Sequence, residues 1–494
     1  MKFPEAMRCK MIQDVQRKIT ELSFESAKFH QSEETRFIHY NYAAKESEKA
    51  DAIPVYENFL LALALFRSCK SDYITEAKIL LEKLLYYQNN GNFPIYLHEA
   101  PFCYNRFQGV KILTPLYWIY HQFHHILGAQ LRAQSLVCLE SLCRYSLTVL
   151  QENPADYGIT LEIAAGAVAV GGLLSNPELE ETGAQMMNDL LQMGPQPIWY
   201  STEGIASILV SLQMVYQNIS QSSWKIFWSH IEKTWHPTLQ SYVGPFFNEM
   251  QRGFGSKISL YDYFLAAFSG SLPSSLCEKQ FDQLYAILVR PEEGKFFSSE
   301  EIERYEIIGS TEWFIKISPK YAYSLIKQHD KKDAGHQKGF HPFYLQWKNN
   351  EMDYSIACAG GRFSSMTYTI NDDTLLLYFN LPDPMENDHA LENRELLFYC
   401  TSHPGLKIAV EGERATTFKM GEIIQIDAGC QIKMKFELEK GEGGFLGHLM
   451  PGNRPSQLLA FKGVLGQAYD RQIFLRTLRK KESCTICVSI KLEF

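Results

Sequence analysis

The chain lacks a basic excess: its formal net charge is −8, and binding to nucleic-acid phosphates needs a positive field that such a chain does not supply. Its densest basic run, RTLRKKE at 476–482, is short and set in strand-like sequence, where a solvated strand end explains it. Long apolar runs are also missing, since no stretch reaches the ~20 residues that span a bilayer. The N-terminal MKFPEAMRCKMIQDVQRKI has charges throughout and no apolar core of the kind a secretory signal carries. A cytoplasmic location is therefore expected, and the sequon NIS at 218 is given no weight. The 11 cysteines show no framework spacing, which fits a reducing compartment. In CTIC, 484–487, alternation along a strand points the two thiols to opposite faces, so neither redox nor metal chemistry is assigned to it.

What is present is the material of large cores. The hydrophobic fraction is 46% and the charged fraction 21% over 494 residues, more chain than one core organises at roughly 150 to 250 residues per domain. Up to about residue 290, apolar residues recur at helical spacing in about ten segments joined by short loops. VYENFLLALALFRSC aligns Phe59, Leu63 and Phe66, and DYITEAKILLEKLLYYQ offers Asp72 as an N-cap before Ile74, Ala77, Leu81 and Leu84. The segment LEIAAGAVAVGGLL, 161–174, is apolar all round and rich in small residues. It predicts a helix buried on every side, with its neighbours at close approach. After residue 295 the pattern turns to short β-rich runs such as EWFIKIS, TLLLYFNLP, QIKMKFELE and CTICVSIKLEF. Strands without intervening helices predict an antiparallel sandwich. The expected domains are 1–290, helical, and 296–494, β, divided near VRPEEGKFF. The stretch 327–342, KQHDKKDAGHQKGFHP, reads as a loop.

A helical array followed by a sandwich resembles the heparinase II/III-like and chondroitin or alginate lyase-like polysaccharide lyases. Local echoes are VGPFFNEMQRGFG, GGFLGHLMPGNRP and YDRQIFLRTLRKK. The resemblance implies an incomplete α/α toroid followed by an antiparallel β-sandwich, with an acidic polysaccharide or oligosaccharide in the cleft between them. It implies β-elimination; separately, no cofactor is expected. Such chemistry abstracts the proton α to a uronate carboxylate, so it needs a neutraliser for that carboxylate, a base and an acid. The helix-breaking segment HPTLQSYVGPFFNEMQRGFG holds these types: Asn248 and Arg252 as neutralisers, His236 and Tyr242 as base and acid. The other reading of this segment is a packed loop whose Phe246 and Phe247 plug a core.

Three further segments carry substrate-binding candidates. GNFPIYLHEAPFCYNRFQG, 91–109, supplies His98, Tyr104, Asn105 and Arg106; PIWYSTEGIAS supplies Trp199, Tyr200 and Glu203; the Gly-rich GHLMPGNRP supplies His448, Asn453 and Arg454 on an expected loop. Aromatic rings suit the CH faces of sugars while polar groups meet their hydroxyls. YSTE also fits a capping box, which makes Glu203 structural. HQFHH places His121, His124 and His125 at metal-binding spacing without a fourth ligand, so no metal is assigned. Two alternatives stay open: a glycoside hydrolase drawing on Glu99, Asp156, Glu203, Glu249 and Asp262, and a non-catalytic carbohydrate-binding scaffold. The polymer and the oligomeric state are not legible.

Overall fold

Alternation between buried and accessible positions separates the helices into two kinds. The computed structural model describes residues 31–43, 49–196, 199, 208, 211–212, 214–215, 226, 229–230, 235–236, 239, 241–242, 301–308, 311–327, 341–349, 352–384, 394–401, 405–455 and 469–493. Six helices are described along their whole length: α1 Val55–Arg67, α2 Ser71–Leu85, α3 Gln108–Phe123, α4 Ala129–Glu152, α5 Tyr157–Leu174 and α6 Pro177–Gln192. In α1, α3 and α5 nearly every residue of the central turns is buried, whereas α2, α4 and α6 bury one stripe. Contacts run α1 to α2 and α3, α3 to α4 and α5, and α5 to α6. This gives an inner layer of odd helices under an outer layer of even ones.

α5 covers the segment expected to be buried all round, and Ile163 through Gly171 are buried without exception. Its neighbour comes in at backbone distance. A Cβ on Gly183 would meet the Ala164 carbonyl oxygen at 2.6 Å and the Val168 nitrogen at 2.7 Å, and one on Gly171 would meet the Glu180 nitrogen at 2.7 Å. Among the described residues α5 is the one helix long and apolar enough, by composition, to cross a membrane. Asp72 lies in the first turn of α2, where Lys70 is the N-cap, so the expected cap is shifted.

The C-terminal half is antiparallel sheet. Two short hairpins precede it, β1 Tyr40–Ala43 with β2 Lys49–Ala52, and β3 Trp235–His236 with β4 Ser241–Tyr242. Then follow β5 Ile302–Ile308, β6 Thr311–Ile317, β7 Tyr321–Lys327, β8 Phe343–Asn349, β9 Met352–Gly361, β10 Ser365–Asn371 and β11 Thr374–Leu381. The remaining strands are β12 Arg394–Cys400, β13 Lys407–Val410, β14 Thr417–Phe418, β15 Ile423–Asp427, β16 Gln431–Lys440, β17 Gly443–Pro455, β18 Tyr469–Lys480 and β19 Cys484–Glu493. They form a nine-stranded sheet, β14-β17-β18-β12-β9-β8-β7-β6-β5, and a six-stranded sheet, β10-β11-β19-β16-β15-β13. Side chains of both, among them Phe343, Trp347, Phe379, Phe398, Phe436 and Ile490, make one core, so this half is a β-sandwich.

The described residues up to His230 cluster in one unit and those from Trp235 onward in a second. The expected boundary at 290–296 lies outside the described residues, as does most of the expected loop 327–342. One expectation is overturned: the Gly-rich GHLMPGNRP is part of strand β17, not a loop. The glycine has a sheet role, because Gly447 leaves the space that the Phe418 ring of β14 occupies. In CTIC, Cys484 and Cys487 are buried, reduced strand residues.

Candidate functional site

Short connections reverse the chain after α1, α3 and α5, so the α2–α3 and α4–α5 connections and the chain leaving α6 share the end where the inner helices start. Direct contacts tie them together. Arg106 Nη1 donates to Asn153 Oδ1 at 2.5 Å, and the Tyr157 ring meets Trp199 edge-on with centroids 6.2 Å apart. Asn92 Nδ2 donates to the Asn105 carbonyl at 2.9 Å and to Tyr145 Oη at 3.3 Å. Segment 91–109 and Trp199 thus lie at the same end of the helical unit.

The long α2–α3 connection is fixed by its own polar groups. Glu99 Oε2 accepts from the backbone of Ile95 at 3.0 Å, and Asn105 Oδ1 accepts from Phe107 N at 2.9 Å. Asn89 Nδ2 donates to the Pro101 carbonyl at 2.6 Å. Held this way, the connection presents large rings to solvent: Phe102 is 62% exposed and Tyr104 74%, stacked at 6.0 Å with planes 24° apart. On its other side His98, stacked on Tyr96 at 5.7 Å, lines a groove of about 670 Å³. Glu34, Lys83, Tyr86 and Tyr87 line the same groove, and Tyr86 is 85% exposed. Exposed rings thus stand beside Lys83 and Glu34 in the groove and, along the connection, two residues from Arg106; on such rings a sugar can stack while its anionic group meets a cation.

Next to this connection, partial burial pushes up both the Tyr145 hydroxyl, which Asn92 contacts, and the Cys103 thiol. A tyrosine raised in this way serves as a hydrogen-bond donor and not as a base at neutral pH. Sequence reasoning missed Glu57, in the first turn of α1 at the same end. Burial raises its carboxyl to about 7, opposed by the helix backbone and by Lys111. The signal was legible: a single acid, next to Asn58, in the mostly apolar VYENFLLALALF.

The other candidates are placed as follows. Trp199 is fully buried, its carbonyl bonded to His230 Nε2 at 3.0 Å, so its ring packs in the interior instead of meeting a sugar. His236 is buried in β3; Nδ1 accepts from Leu239 N at 3.2 Å, which leaves Nε2 as the donor to the Ser318 carbonyl at 2.7 Å. Both ring nitrogens are thereby engaged by backbone. His448 faces Phe474 at 4.9 Å, and burial, then Arg476, lowers its pKa. Tyr242 and Arg454 lie on strands β4 and β17, and their side chains, with Tyr200, Glu203, Asn248 and Arg252, lie outside the described residues. Of the carboxylates weighed for hydrolysis, Glu99 and Asp156 both accept backbone N–H groups, Asp156 from Ile159 at 2.9 Å. His121 stacks on Tyr117 at 5.3 Å, and His124 Nδ1 meets the Tyr120 carbonyl at 3.1 Å.

No protein-family model and no curated protein matches the chain. Solved structures do. Heparinase III superposes with a TM-score of 0.51 at 9% identity, over 97% of this chain and 85% of that one. A tyrosine-to-alanine mutant of the Streptomyces coelicolor chondroitin AC lyase gives 0.50 at 8%, over 97% and 79%. What the chain shares with these two proteins, along nearly its whole length, is a fold: a helical domain followed by an antiparallel β-sandwich.

Proposed function

We propose that the chain is a polysaccharide lyase-like protein whose helical unit, an incomplete α/α toroid, takes an acidic polysaccharide at the end where the inner helices start. The observation that carries this reading is the surface of the α2–α3 connection: Tyr104 stacked on Phe102, Arg106 beside it, and the groove of Lys83, Tyr86 and His98. Rings so exposed are costly to keep in water without a partner, and cations among them select an anionic one. The two structural neighbours are a heparinase and a chondroitin lyase, and acidic polysaccharides are what those names denote as substrates.

For catalysis the proposal keeps β-elimination, with Asn248 and Arg252 holding the uronate carboxylate and Tyr242 exchanging the proton. His236, engaged at both nitrogens, is given no part in proton transfer. Hydrolysis is less well supported, since Glu99 and Asp156 are committed to backbone groups. The test is incubation of the purified chain with a panel of uronate polymers, following unsaturated-product absorbance and reducing ends together. Absorbance supports elimination. Reducing ends alone replace it with hydrolysis, and binding without either product leaves a scaffold.

A further inference from the structure

The tight turn at 89–92 couples two separate sets of exposed rings. Asn90 and Gly91 both take left-handed backbone, at φ 50° and 81°. Asn89 N donates to the Asn92 carbonyl at 2.9 Å, and Asn92 N donates back to the Asn89 carbonyl at 3.0 Å. A Cβ on Gly91 would meet Tyr145 Cβ at 2.6 Å, so α4 backs the turn closely. Both asparagine side chains reach into the α2–α3 connection: Asn89 Nδ2 donates to the Pro101 carbonyl at 2.6 Å and Asn92 Nδ2 to the Asn105 carbonyl at 2.9 Å. Those two carbonyls bracket Phe102 and Tyr104. On its other side the turn follows Tyr86 and Tyr87, whose rings meet edge-on at 5.7 Å.

Each set pairs rings with a cation. Tyr86, 85% exposed, shares its groove with Lys83, and Tyr104, 74% exposed, stands two residues from Arg106. Neither Phe102 nor Tyr104 lines that groove, so the two sets are distinct surfaces. The cations have neutral neighbours: Lys83 Nζ lies over the Phe37 ring at 5.6 Å, and Arg106 donates to the Asn153 amide. Two residues separate Tyr87 from Asn89 and one separates Pro101 from Phe102, so with the side-chain bond between them the sets stand within about 20 Å of each other. A polymer that repeats an anionic sugar along its length can engage both. Its second contact is then intramolecular, which raises affinity without a new kind of contact.

We propose that the 89–92 turn fixes the spacing of two subsites that hold one polysaccharide strand, with Asn89 as the positioning residue, so that the ligand is a stretch of several sugars and not a disaccharide. This rests on the polysaccharide reading and narrows its substrate. The experiment is calorimetric titration of the full chain with size-fractionated oligosaccharides of heparin and of chondroitin sulfate, from disaccharide to dodecasaccharide, and with both parent polymers. Affinity should rise about tenfold or more with length and then level off. Tyr86→Ala and Tyr104→Ala, both at exposed positions, should keep the melting temperature and each abolish the rise. Asn89→Ala should abolish it too while binding the shortest fragments as the parent does, which separates lost spacing from lost contact. If Asn89→Ala melts early, the two tyrosine variants decide alone. Polymer binding without the rise, or a rise that survives either tyrosine variant or a stable Asn89→Ala, would overturn the two-subsite inference and leave the polysaccharide reading standing. Binding of neither polymer would overturn that reading and this inference with it.

Discussion

The two units differ in the polar groups they bury: neutral side chains bonded to backbone in one, an ion pair inside the strands in the other. In the helical unit the helices meet through glycine at backbone distance, and buried amides such as Asn58 and Asn92 bond to backbone groups of neighbouring segments. In the sandwich, charge sits inside the strands: Glu395, 1% exposed, meets Lys480, 4% exposed, at 3.4 Å, and Thr477 also donates to the same carboxylate oxygen. Glu395 lies at a bulge between Arg394 and Leu396, which turns its side chain out of the regular alternation toward β18. Helical packing leaves connections free to vary in sequence, and those are where a binding surface can be built. Strand pairing leaves no such freedom inside, so polar residues there serve the fold.

Breaking the sandwich pair should give the largest effect. Lys480→Met strands a buried carboxylate and should cost about 3 to 5 kcal/mol, whereas Lys480→Met with Glu395→Leu should recover most of it. Denaturant melts of the three proteins decide this, and equal losses in single and double variants would mean the pair contributes nothing as a pair.

The helical counterpart is Glu57, whose pKa is raised from 4.5 to about 7. The folded state holds its proton more tightly than the unfolded state does. Stability is therefore unaffected below the ordinary glutamate range, and is lost progressively as pH rises from about 4.5 to about 7. Glu57→Gln should be neutral in acid and stabilising above neutrality, by at most about 3 kcal/mol. A variant advantage that is independent of pH would show that Glu57 is not the titrating group.

Smaller again, Gly183→Ala should cost about 2 kcal/mol by pushing a methyl group against the Ala164 and Val168 backbone. Gly166→Ala should cost less, because the first atom met, at 2.9 Å, is the end of the Leu113 side chain. Thermal melts that rank them in reverse would place the tight helix contact elsewhere.

The same contrast explains what the sequence revealed. Period and composition marked α1 through α6 and most strands, because burial of one stripe or of alternate residues is written directly in residue order. It did not mark β17, where glycines in GGFLGHLMPGNRP read as a loop until Phe418 is seen filling the space over Gly447. Nor did it mark β5, whose charged alternation resembles a solvated segment. In the site, the exposure of Tyr104 and His98 followed from a long polar break between helices. The interior place of Trp199 did not, because a tryptophan beside polar residues has the same sequence signature whether it faces a sugar or a neighbouring histidine.

The central claim is that the α2–α3 connection holds an acidic polysaccharide. Titration of the chain with a uronate polymer, against Tyr104→Ala and Arg106→Ala, tests it most directly. Each side chain is exposed, so melting temperatures should hold while affinity falls about tenfold per substitution, and raised salt should weaken the parent more than Arg106→Ala. Parent and variants binding with the same affinity and the same salt dependence, or a parent that binds no such polymer, would contradict it.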